Sequence, residues 1–136
     1  MKPREEVRLE FVRQWVSKAD EDLGLAKHIL AADVPFLGAV GFHAQQAAEK
    51  YLKAFLVSKE TDFPKTHNIA TLLELVARCN ATLAESLHST VALTQYGVEG
   101  RYPGDLPEVT GEEAQTALTL AERARQEVLA LLEPEI

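Results

Sequence analysis

Apolar residues recur at steps of three and four from the start of the chain: Val7, Phe11, Trp15, Ala19, Leu23, Ala26 and Leu30. That spacing is one face of a helix and predicts a helix from about Arg4 to Ala31. Asp33-Val34-Pro35 ends it, because proline disfavours a helical backbone in the residue before it. Pro35 is placed to open the next helix, which runs to about Ser58. The apolar residues of this second helix cover more than one face. Val40, Ala44, Ala47, Tyr51 and Ala54 form one side, with Leu52, Phe55 and Leu56 beside it. So wide an arc predicts a central helix touching several neighbours, and more apolar surface than a small bundle covers alone, hence a homodimer.

The polar stretch KETDFPKTH contains Pro64 and reads as a loop. Thr66 or Asn68 is placed to cap a third helix, whose Ile69, Leu72, Leu73, Val76 and Cys79 share a side and which Asn80 ends. Leu83, Leu87, Val91 and Leu93 predict a fourth, from about Thr82 to Tyr96. GVEGRYPGDLPEV then holds three glycines and two prolines in thirteen residues, the longest irregular stretch. Thr110 with Glu113 spells a capping box, so the last helix starts there and runs to about Glu133. No strand pattern, repeat or linker interrupts this. The expectation is a single all-α domain over residues 1–136, an antiparallel up-and-down bundle of about four to five helices.

At 136 residues the chain is long enough to bury one core, about two thirds of its unfolded surface. It has a single cysteine, Cys79, so no intramolecular disulfide forms. The charged start MKPREEVRLEF does not read as a signal peptide, and no apolar run has membrane-spanning length. The expected location is cytoplasmic. The net charge of −7 is uneven: residues 1–42, 43–67, 68–100 and 101–136 carry −1, +1, −2 and −5. Only the segment centred on the second helix is net positive. So acidic a chain argues against tight duplex DNA binding, yet leaves room for one nucleotide or one RNA strand at a local basic site.

Candidate chemistry concentrates in GFHAQQAAEKYLKAFLV, Gly41 to Val57. On a helix His43, Gln46 and Lys50 form one row, and Gln45, Glu49 and Lys53 a second. The simplest reading of the second row is a solvated Glu49–Lys53 pair. The first puts an imidazole, an amide and a cation in line on a helix that is otherwise apolar. Buried polar groups need hydrogen bonds, so that row is expected to line a groove or an interface. Lys65 with His67 is a smaller cluster. In the long loop, Arg101 suits a phosphate or carboxylate and Tyr102 a stacked base, unless both only pin the loop. Cys79 reads as a packing residue, Trp15 as core, and His28 and His88 as structural or solvated. No phosphate loop, nucleophile elbow or metal-ligand spacing is present, so no cofactor or metal is expected.

FHAQQAAEKYLKAFL, THNI and YGVEGRYP, in that order, resemble the HEPN family (higher eukaryote and prokaryote nucleotide-binding). WVSKADEDLGLAKHIL resembles the family's first helix, so the likeness covers nearly the whole chain. The resemblance implies a helical bundle, a homodimer, and a partner in a small nucleotidyltransferase encoded nearby, as in a toxin–antitoxin pair. It also implies a nucleotide ligand, with His43, Gln46, Lys50, His67, Arg101 and Tyr102 as candidate binding residues. Some members are metal-independent RNases that use an arginine followed after four to six residues by a histidine. The arginines here are 4, 8, 13, 78, 101, 123 and 125, and none has a histidine at that distance. The expectation is therefore a binding or assembly component, with an RNase toxin as the alternative.

Overall fold

The computed structural model describes residues 3–97 and 108–136, and every regular element among them is helical. Helix α1 spans Arg4–Ala31, α2 Leu37–Ser58, α3 Ile69–Cys79 and α4 Ala81–Ser86. A 3₁₀ helix follows at His88–Tyr96, and α5 spans Gly111–Leu132. The chain is an all-α helical bundle.

Sequence-level caps set several of these boundaries. Asn68 accepts from the Thr71 amide at the start of α3, and Asn80 from the Leu83 amide at the start of α4. Asn80 thus ends one helix and begins the next. Thr110 and Glu113 form the full capping box of α5. Helix α2 begins two residues after Pro35, with Phe36 at its N-cap. It ends in a Schellman turn: the Glu60 amide donates to the Val57 carbonyl (3.0 Å), the Thr61 amide to the Leu56 carbonyl (2.9 Å). Glu60 holds the left-handed position, φ 52°, that such a turn requires.

The expected fourth helix is split. Leu87 leaves helical geometry at φ −98°, ψ 11°, and the Thr90 hydroxyl donates to its carbonyl. The sequence HSTV that follows is poor in strong helix formers, and such local side-chain bonds compete with an α-helical ladder.

Contacts fix the directions. Asp22 meets Lys50 and Trp15 meets Lys53, so α1 and α2 are antiparallel. Asp20 pairs with Arg125 and Lys27 with Glu122, so α5 is antiparallel to α1. The loop after α2 climbs back along it, placing His67 beside Glu49, and α3 then descends until Cys79 meets Thr61. The α4–3₁₀ leg returns, with Ser86 against Glu127 and Tyr96 against Glu113. The alternation of directions is therefore carried by α1, α2, this return leg and α5, with α3 laid along α2.

Helix α2 is the axis of the bundle, packed by α1, α3, the 3₁₀ helix and α5. Val40, Ala44, Ala47, Ala48, Tyr51, Leu52, Ala54, Phe55 and Leu56 are all buried. Its small residues let neighbours approach closely. At Gly41 an added Cβ would lie 2.9 Å from the Tyr96 ring, so the contact requires glycine. The broad apolar arc of α2 is thus covered within the chain and gives no ground for a second copy. Among the described residues, the large apolar ones left exposed are Phe11, Leu25, Phe36 and Leu131. Phe11 turns outward because Val12, Ala19, Leu23 and Ala26 take the core side of α1. Trp15 is only partly buried, and Cys79, at the last turn of α3, is exposed rather than packed.

Candidate functional site

The second polar row of α2 is not a wet face. Gln45, Glu49 and Lys53 are 0%, 1% and 8% exposed, among the few polar side chains in the core. Each is satisfied. Gln45 donates to the His67 carbonyl at 3.0 Å and accepts from Gln46 at 2.8 Å. Glu49 Oε1 receives Lys53 Nζ at 3.1 Å and His67 Nδ1 at 2.9 Å. The loop that climbs along α2 seals this row from water, which the helix sequence alone could not reveal. Among the described residues no buried side-chain polar atom lacks a partner. Satisfied hydrogen bonds are what make such burial tolerable.

The first row lies at the α1–α2 seam, neither buried nor fully exposed. Asp22 of α1 sits between two of its members: His43 Nδ1 is 2.9 Å from Oδ1, and Lys50 donates to Oδ2. The side chains of His43 and Lys50 are each 24% exposed, that of Asp22 14%. Gln46 instead donates to Gln45 of the buried row. His67 lies on the loop side with its side chain 71% exposed over the buried Glu49 carboxylate. The structure therefore joins His43 and Lys50 through Asp22, and Gln46 and His67 through Gln45, on neighbouring rows of α2. Arg101 and Tyr102 lie outside the described residues.

The two histidines share a design. Each turns Nδ1 toward a carboxylate, and an ionised carboxylate only accepts. Nδ1 thus carries the proton, and Nε2 is the acceptor nitrogen of the neutral ring. Each carboxylate also holds one lysine. The result is two His–carboxylate–Lys triads, His43–Asp22–Lys50 and His67–Glu49–Lys53. Asp22 and Glu49 fix their partners' geometry while offsetting much of the local charge. Sequence reasoning missed Asp22, one heptad beyond Trp15 on α1, because its role depends on how α1 docks.

Lys53 leads from the polar network to an aromatic edge. Its ammonium lies 5.5 Å from the Trp15 ring centroid and 5.6 Å from that of Phe63. Trp15 and Phe63 meet edge to face at 6.1 Å. These are cation–π distances.

A third cluster locks the bundle below the site. Tyr51, on α2, donates its hydroxyl to Asp20 of α1, which also receives Arg125 Nε of α5 at 3.0 Å. Burial, then the bond to Asp20, pushes the Tyr51 phenol well above its usual range. The same carboxylate raises Arg125. On α5, burial alone would raise Glu127, but bonds from Ser86 of the return leg and from Arg123 outweigh it and hold the carboxyl low. Both clusters are ties between helices.

No group of histidine, cysteine, aspartate and glutamate with metal-binding geometry occurs among the described residues. Nor is any of their helices long and apolar enough to cross a membrane. Residues 12–131 match the HEPN domain. No curated protein matches the chain by sequence. Among solved structures, the chain is similar to TT1696 from Thermus thermophilus, at 28% identity and a TM-score of 0.69. The superposition covers 86% of this chain and 94% of that one.

Proposed function

The chain belongs to the HEPN domain family, and on that premise we propose that it is a binding component that holds a nucleotide at the α1–α2 seam. The observation that carries this reading is the meeting of His43 and Lys50 on Asp22 at the partly exposed seam, with the Gln46–Gln45–His67 chain on the next row. Lys50 supplies donors for phosphate oxygens, as does His43 Nε2 when the ring carries both protons, and the amide and neutral imidazole edges suit ribose hydroxyls. Asp22 and Glu49 pre-set the cationic groups, which lowers the ordering cost of binding. The proposal is binding rather than RNA cleavage, because no arginine has a histidine four to six residues after it. Thermal-shift titration with AMP, ATP and GTP tests it. A saturable rise in Tm is expected, and it shrinks in Lys50→Met. No shift at millimolar ligand in the wild-type protein overturns the proposal.

A second reading rests on a separate observation. Phe11, Phe36, Leu25 and Leu131 are 52%, 62%, 43% and 45% exposed. Exposed aromatic and leucine side chains are suited to a protein partner. We propose a homodimer, or a complex with a small nucleotidyltransferase in a toxin–antitoxin-like pair, as the assembly they serve. Light scattering and co-purification with an adjacently encoded transferase separate the two. A monomeric mass at micromolar concentration, together with no transferase bound, contradicts both.

A further inference from the structure

We infer that the Trp15–Phe63 edge, flanked by Phe11, receives the base of a nucleotide whose phosphate lies at His43 and Lys50. This rests on the nucleotide reading of the seam and adds a second subsite to it. Trp15 and Asp22 are one heptad apart on α1, so they project from the same side within about 20°. Their separation along the axis is seven residues at a 1.5 Å rise, about 10 Å. Asp22 marks the phosphate end through His43 and Lys50. Trp15 marks the other end, and the span between them suits a nucleoside mono- or diphosphate.

The edge has the chemistry of a stacking platform. Trp15 and Phe63 pack on the core without being fully covered, and Phe11, one turn before Trp15, is 52% exposed. An aromatic left half-open beside a polar network is what a planar, partly polar ring needs. Lys53 adds a charge to this platform. It is nearly buried, so its cation lies beneath the rings rather than in solvent. A cation against one side of a π system draws electron density toward it. The outer side becomes a better partner for an electron-rich purine. Glu49 holds Lys53 in place beneath the rings, as Asp22 holds His43 and Lys50 at the phosphate end.

The chain has a single tryptophan, so its emission reports on this edge alone. AMP and ribose 5-phosphate are titrated into the full-length protein, followed by tryptophan fluorescence and by calorimetry. Both ligands are expected to bind, AMP more tightly. AMP quenches the emission saturably, and ribose 5-phosphate leaves it unchanged. Phe63→Leu weakens AMP about tenfold, in the range of a lost base–aromatic stack, and leaves ribose 5-phosphate unaffected. Retained ribose 5-phosphate binding certifies that the variant is folded. If it is lost, Phe11→Ser replaces the variant, with a few-fold weaker AMP expected and unaltered AMP affinity counting against the inference. Calorimetric binding of AMP with no fluorescence change and no effect of Phe63→Leu overturns the base subsite while the phosphate site stands. Binding of neither ligand removes both.

Discussion

At single positions, the structure separates residues that the sequence makes look alike. Gly24 and Gly41 are both interior helix glycines. An added Cβ meets nothing within 4 Å at Gly24 but comes within 2.9 Å of the Tyr96 ring at Gly41. Gly24→Ala should therefore stabilise by up to about 1 kcal/mol, the helix propensity difference. Gly41→Ala should destabilise by about 1–2 kcal/mol, because overpacking exceeds the same gain. Thermal melts check the pair, and a rise in Tm for Gly41→Ala contradicts the close approach. Glu49 and Lys53 offer a sharper case. Glu49→Gln leaves Lys53 and its charge in the core, a loss of about 3–5 kcal/mol. Adding Lys53→Met should restore most of it, as denaturant unfolding of both variants would show. An exposed Glu–Lys pair would give a fraction of that. The sequence presents Glu49–Lys53 as an ordinary i,i+4 surface pair. Only the returning loop, with His67 over Glu49, makes it a buried one.

At the level of elements, the caps and the periodicity were legible and the geometry of the turns was not. Asn68, Asn80, Thr110 and Glu113 act where the residues say they should. The split of the fourth helix at Leu87 depends on a Thr90 bond that periodicity does not register. Glu60 likewise occupies a left-handed position that favours glycine. Glu60→Gly should raise stability by up to about 1 kcal/mol, since the Arg4–Glu60 pair it removes is exposed. A lower Tm would contradict the Schellman assignment. The three-helix tie at Asp20 gives a pH-dependent prediction. The folded-state pKa of Tyr51 lies above its unfolded value, so its contribution is complete below about pH 10 and is lost as pH rises beyond that. Tyr51→Phe should lose about 0.5–1.5 kcal/mol at neutral pH. It should then fall less steeply than the wild type in alkaline unfolding, and equal slopes would remove Tyr51 from the account.

For the molecule as a whole, an all-α bundle was legible because its apolar stripes are long and its loops carry proline and glycine. The apolar arc of α2 and its central place were also legible, but the extent of its cover was not. The arc reads as surplus surface until α1, α3, the 3₁₀ helix and α5 are seen to cover it. The candidate residues on α2 were visible by spacing, whereas Asp22, Trp15 and Phe63 join them only through the docking of α1 and the loop after α2. The central claim is that this seam holds a nucleotide. The four histidines test it most directly, because His43 lies at the seam, His67 on the loop over the neighbouring row, and the other two elsewhere. Side-chain NMR of His28, His43, His67 and His88 during AMP titration reads all four at once. The account predicts saturable shifts at His43 and His67, with His28 and His88, exposed elsewhere on the bundle, unmoved. Shifts confined to His28 or His88, or none at millimolar AMP, would contradict it.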